Sequence, residues 1–147
     1  MSPTMGIPAS CNTNLLNGHI AALRVDYSDG NSPKCSTVGN YDNDDTEIKL
    51  IDDSDPAKGI KLTYYGDYNS KSKQSEFIIE LLCGNQLTPV PTYAYEIDTS
   101  VYQIKMSSVF GCPLECPVAN RELCGGNGHC YYDSDAGASR CYCNHGK

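Results

Sequence analysis

Nine cysteines in 147 residues constrain this chain more than any other feature, and five of them fall in the last 32 positions. Those five are Cys116, Cys124, Cys130, Cys141 and Cys143, separated by seven, five, ten and one residues. The other four, Cys11, Cys35, Cys83 and Cys112, are widely spaced, and their spacing leaves all three possible pairings open. Such cysteine usage belongs to an oxidising compartment, which makes the secretory route the expected home. Each bridge contributes roughly 2–4 kcal/mol, mostly by limiting the unfolded chain. The 35 residues after Cys112 are too few to bury a core without such staples. The stiff stretch Pro113-Leu114-Glu115-Cys116-Pro117 therefore marks a boundary between an upstream domain, 1–112, and a small module, 113–147.

The cysteine gaps of that module, with one residue between Cys141 and Cys143, resemble the framework of an epidermal growth factor (EGF)-like module. The run Cys124-Gly125-Gly126-Asn127-Gly128-His129-Cys130 is similar to that family's Gly-rich turn between its second and third cysteines. The resemblance implies bridges Cys116–Cys130 and Cys124–Cys141 and leaves Cys143 for a sixth cysteine that the family places beyond Lys147. The expectation is a module cut short, with the odd cysteine explained by truncation and not by a reactive thiol. Calcium binding in such modules needs an acidic approach to the first cysteine, which Pro113-Leu114-Glu115 does not provide.

Eighteen acidic against eleven basic residues give a net charge of -7, which disfavours nucleic acid and anionic membrane surfaces as partners. The acidic run Asp42, Asp44, Asp45, Glu47 reads as a solvated loop before it reads as a calcium site. The opening Met1-Ser2-Pro3-Thr4-Met5-Gly6 lacks the basic start and apolar stretch of a signal peptide. No run of about 20 apolar residues offers a membrane span. The chain is accordingly expected to be a fragment of a luminal or extracellular protein, attached to a membrane through a downstream segment. Asn31-Ser32-Pro33 fails as a glycosylation sequon at its third position, and no other sequon occurs.

Between residues 19 and 109 the apolar segments are short, rich in Ile, Val, Leu and Tyr, and separated by Gly, Pro, Asn and Asp clusters. This pattern predicts strands at 19–25, 47–51, 60–65, 77–83, 92–97 and 102–109, with turns at 53–56, 66–70 and 84–85. Alternation within several of them predicts antiparallel sheets with one buried face, on which Ile60, Leu62, Tyr64, Ile78, Leu82, Ile104 and Met106 are buried. No helical periodicity of useful length is present.

Three stretches together carry a second resemblance. They are Gly59-Ile60-Lys61-Leu62-Thr63-Tyr64-Tyr65-Gly66-Asp67, Phe77-Ile78-Ile79-Glu80-Leu81-Leu82-Cys83, and Tyr102-Gln103-Ile104-Lys105-Met106-Ser107-Ser108-Val109-Phe110-Gly111-Cys112. In order and spacing they resemble the mannose 6-phosphate receptor homology (MRH) domain, a lectin fold of two packed antiparallel sheets. The fold class implied is all-β, an MRH-like domain followed by the EGF-like module. The resemblance also implies a Cys83–Cys112 bridge, which leaves Cys11 with Cys35.

Sugar binding in that family rests on Gln, Arg, Glu and Tyr side chains converging on one mannose ring. Ring hydroxyls removed from water must regain hydrogen bonds, and charged groups supply the strongest. The resemblance places the Tyr at Tyr102 and the Glu at Glu96. The Gln position falls on Ser36 and the Arg position on Ser75, beside Lys71, Lys73 and Gln74. Lys73 offers a charge there, though an ammonium lacks the planar fork of Arg. The candidate carbohydrate-binding set is thus Glu96, Tyr102, Lys73 and Ser36, with mannose-containing glycans or glycoproteins as partners and no cofactor.

Other chemistries have weaker support. His129, Cys130, Cys141, Cys143 and His145 are of types that bind zinc, but they lack paired zinc knuckles. His19 has no nucleophile elbow beside it, and Glu96 with Asp98 lacks a second glycosidase motif. A binding module fits better than an enzyme. Two functions remain open: a mannose-type lectin-like receptor ectodomain, or an ectodomain that has lost sugar readout and mediates protein contacts or adhesion.

Overall fold

The computed structural model describes residues 11, 20–28, 30, 32–41 and 45–144. His19, His145, Asp42 and Asp44 lie outside the described residues. The described chain is all-β, with helical structure limited to short 3-10 turns. Its strands are β1 (Ile20–Asp26), β2 (Lys34–Asn40), β3 (Glu47–Leu50), β4 (Gly59–Tyr68), β5 (Gln74–Cys83), β6 (Tyr95–Asp98), β7 (Val101–Ser108), β8 (Val118–Ala119), β9 (Glu122–Leu123), β10 (Gly128–Asp133) and β11 (Ala138–Cys143). β3-β4-β5-β7-β6 form a five-stranded sheet, and β1-β2, β8-β9 and β10-β11 form three two-stranded sheets. No described helix is long and apolar enough to cross a membrane.

Contacts divide the chain into two compact units that interleave in sequence. The first takes Met1–Thr46, Thr63–Phe77 and Glu96–Tyr102. Here the antiparallel β1-β2 ribbon packs on β4 and β5. Gly66 makes the close approach possible, because a Cβ at that position would lie 2.3 Å from the Thr37 carbonyl oxygen. The sequence places Gly66 in a turn; it is a strand residue whose missing side chain admits the neighbouring backbone. Tyr64 fills the space beside it, with ring centroids 5.4 Å from Tyr41 and 6.5 Å from Phe77. Burial pushes the Tyr64 hydroxyl pKa up. Thr37, Val38, Thr63, Ser75, Ser100 and Val101 are also buried.

The second unit takes Glu47–Leu62, Ile78–Tyr95 and Gln103–Lys147. Its core is small and largely made of cystine: Val109, Cys116 and Leu123 are buried, with Cys83, Cys112, Cys124 and Cys130 packed against them. Bridges join Cys83 to Cys112, Cys116 to Cys130 and Cys124 to Cys141, while Cys11 and Cys35 are joined in the first unit. Cys143 is free and exposed. The Asn85 side chain accepts the Leu123 N–H at 3.1 Å, and Cys130 faces Cys141 in the β10-β11 register. Cys124, Gly125 and Gly126 follow one another at positive φ, a left-handed run that glycine tolerates without steric cost.

Two expectations about the strands need correction. Of the seven residues expected to be buried only Tyr64 is; Leu82 is exposed, Ile60, Leu62, Ile78, Ile104 and Met106 are only partly covered, and on β7 the buried residues are Val101, Gln103 and Ser108. Strong alternation shows that one face is preferred, but an edge or a sheet end leaves that face open. β2 was not predicted at all. Its residues Lys34-Cys35-Ser36-Thr37-Val38-Gly39-Asn40 are polar and small, so pairing with β1 and burial against Tyr64 and Phe77 override their weak strand propensity.

Candidate functional site

The site lies within the first unit, at the ends of β1, β2, β6 and β7. Arg24 on β1 pairs directly opposite Ser36 on β2. Directly paired residues of an antiparallel ribbon share one face, so their side chains stand together. The Arg24 guanidinium carbon lies 5.9 Å from the centroid of the Tyr102 ring on β7, within the range of a cation–π contact. Its charge also meets Asp26, at 3.7 Å. Arg24 thus links Ser36 to Tyr102 across two sheets.

Tyr102 is the central group. Its hydroxyl is shielded from solvent, and no group among the described residues stands in good hydrogen-bonding geometry to it, although the Arg24 and Glu96 side chains lie close enough to act on it. A buried hydroxyl without a well-formed bond keeps much of its desolvation cost. Burial pushes the Tyr102 pKa up; the Arg24 charge opposes the shift and the Glu96 carboxylate adds to it. Those two causes place a cation and an anion beside a hydroxyl that lacks a well-formed bond. The combination suits a neutral ligand with several hydroxyl groups, since donor, acceptor and ring face are all present.

Glu96 is exposed on β6, and one of its oxygens accepts the Ser100 N–H at 2.9 Å. The tight β6-β7 turn that this bond closes carries Ser100 at φ +62°. Lys73 does not join Glu96 and Tyr102: its ammonium bonds Asp98 at 2.9 Å. That hydrogen bond, with one from the Thr99 N–H, holds the Asp98 carboxyl below its ordinary pKa. Ser75, at the position where the MRH resemblance expects Arg, is buried in β5 and offers no charge to the surface. Gln74 donates to the Gly66 carbonyl at 3.2 Å.

Of the sequence-derived set, Ser36 and Tyr102 therefore stand beside Arg24, Glu96 acts on Tyr102, and Lys73 stands apart with Asp98. Arg24 is the residue that sequence reasoning missed. Its strand was predicted, yet nothing in the local pattern distinguishes an Arg on a wet strand face from any other solvated charge. Only the pairing of β1 with β2 and the approach of Tyr102 give it a role.

The zinc alternative loses its ligands. Cys130 and Cys141 are both in bridges, so neither offers a thiolate. The one group of metal-type residues among the described residues, Cys116, Cys124 and Cys141, is also made of bridged sulfurs.

No family model matches the chain, and no curated protein matches it. Among solved structures it is similar to the MRH domain of Yos9 complexed with alpha3,alpha6-Man5, at 18% identity and a TM-score of 0.36. That match takes in 51% of this chain and 49% of the other, about half of each.

Proposed function

We propose that Arg24, Ser36, Glu96 and Tyr102 form a shallow glycan-binding site for mannose-type sugars, and that the chain is the lectin-like part of a receptor ectodomain of the secretory pathway. The observation that carries this reading is the shielded Tyr102 hydroxyl, without a well-formed hydrogen bond among the described residues and flanked by opposite charges. A pyranose would give that hydroxyl its missing bond, while Arg24 and Glu96 take vicinal ring hydroxyls as acceptor and donor partners. Arg24 then does the work for which the MRH resemblance expects an Arg on another strand. The role is binding, since the site offers neither an activated nucleophile nor a carboxylate pair arranged for hydrolysis.

The same reading makes residues 1–112 an MRH-like domain and residues 113–147 an EGF-like module, supported by the bridges Cys116–Cys130 and Cys124–Cys141 and by the β10-β11 ribbon. Four bridges favour an oxidising, luminal or extracellular setting.

A glycan array tests it. Mannose-terminated glycans should bind with millimolar affinity, about 4 kcal/mol, and Arg24→Ala, Glu96→Gln and Tyr102→Phe should each weaken them. Binding indifferent to all three substitutions contradicts the assignment. A second reading, protein contact, draws on a cleft of about 380 Å³ in the second unit, where Phe110, Leu114 and Val118 are exposed. Capture of a protein ligand that Leu114→Asp abolishes would favour it.

A further inference from the structure

Glu96 lies on a strand exposed along its whole length, where a Glu side chain ordinarily samples many rotamers. A flexible carboxylate makes a poor ligand for a small sugar, because each binding event must order it. In this chain Glu96 is already held by the Ser100 N–H. That N–H is correctly aimed only while Ser100 keeps its left-handed conformation, uncommon for a residue other than glycine.

Ser100 is kept there from outside its own turn. It is buried, its carbonyl accepts the Glu76 N–H at 2.9 Å, and its hydroxyl accepts from the Asn69 side-chain amide at 2.8 Å. Asn69 is itself fixed in the β4-β5 turn. Its side-chain oxygen accepts the N–H groups of Lys71 and Lys73, at 2.9 and 3.0 Å, and its own N–H donates to the Lys73 carbonyl at 2.8 Å. The parallel tie between Lys73 and Asp98 is solvent-exposed, so screening leaves it weak. Asn69 thus holds its own turn through its side-chain oxygen and reaches the neighbouring turn through its side-chain nitrogen.

We propose that Asn69, acting through Ser100, is a positioning residue that presents the Glu96 carboxylate in its binding orientation. The proposal rests on the glycan-binding reading of the site and explains how an exposed glutamate serves it. Asn69 touches no ligand.

The test is made on the intact chain by NMR, with a mannose oligosaccharide as the probe. Asn69→Ala should speed hydrogen exchange at the Ser100 amide about tenfold, a local opening. It should also move the Glu96 carboxyl carbon signal and weaken the oligosaccharide about fivefold, while amides elsewhere in the unit, such as Thr37, keep their protection. Asn69→Asp should retain all three properties, because the Ser100 hydroxyl can turn and donate to the new carboxylate, which also keeps both turn acceptors. Unchanged Ser100 exchange and an unmoved Glu96 signal in Asn69→Ala would overturn the proposal, as would equal effects of Asn69→Ala and Asn69→Asp. Uniform loss of protection, Thr37 included, would also overturn it by showing a merely structural role. Failure of the unaltered chain to bind the oligosaccharide would refute the glycan reading and, with it, the binding role of Asn69. The exchange and carboxyl signals would then still show whether the link from Asn69 to Glu96 exists.

Discussion

The cystine-rich segment from Val109 to Cys141 and the strand ends around Tyr102 are held together by different means. In the first, three buried residues and four half-cystines form a core that would be too small without covalent closure. In the second, one bridge, Cys11–Cys35, anchors β2 beside Ser36, and no covalent bond among the described residues reaches Glu96, Ser100 or Tyr102. Arg24, Ser36, Asn69, Glu96, Ser100 and Tyr102 come from separate strands and turns, and hydrogen bonds, a ring contact and backbone pairing bring them together. A segment fixed by bridges tolerates loss of almost any single hydrogen bond. Around Glu96, Ser100 and Tyr102 there is no such reserve among the described residues, so small polar changes should alter binding there without altering the fold.

The largest effect expected from this difference is the removal of a bridge. Cys116→Ala with Cys130→Ala opens a loop with a sequence separation of 14 and should lower stability by about 3 kcal/mol. Urea unfolding of the cystine-rich segment, with a loss under about 1 kcal/mol, would show that its noncovalent core is sufficient. Gly66→Ala comes next. The added methyl meets the backbone of Thr37 and Val38, so a cost of about 1–3 kcal/mol is expected from forced displacement, measured by the same unfolding experiment.

Tyr102→Phe sharpens the comparison from the other side. Removing a shielded hydroxyl that has no well-formed hydrogen bond among the described residues should leave stability unchanged or raise it by up to about 1 kcal/mol, yet glycan affinity should fall. Loss of stability in this variant would mean that the hydroxyl serves the fold. The smallest effect is acid sensitivity. Asp98 is held below its ordinary value of 3.8, first by the Lys73 hydrogen bond, so its contribution is present above that value and is lost as pH falls through the lower folded-state pKa. Lys73→Ala should therefore flatten the decline of stability below about pH 4 only slightly, since the pair is exposed.

Legibility in the sequence follows the same division. Cysteine spacing is a local, countable signal, and the close spacing of Cys116 to Cys143 was enough to suggest a bridge framework. The strands β4, β5 and β7 announced themselves through Ile, Leu and Tyr alternation. β2 did not, since Ser36, Thr37 and Gly39 earn burial only from partners distant in sequence. The site was half visible. Glu96 and Tyr102 stand in a short segment that a family resemblance can align, whereas Arg24 matters only because β1 pairs with β2 and Tyr102 reaches its guanidinium. Lys73 had the right charge but the wrong neighbour, because Asp98 lies within reach across the turn.

The most direct test of the central claim is a titration of the chain with a mannose oligosaccharide, followed by side-chain and amide NMR signals. The account predicts saturable shifts at Arg24, Ser36, Glu96 and Tyr102, with the signals of residues 116–141 unmoved and the response lost in Tyr102→Phe. Shifts confined to Phe110, Leu114 and Val118, or no shift up to roughly ten times a millimolar dissociation constant, would contradict it.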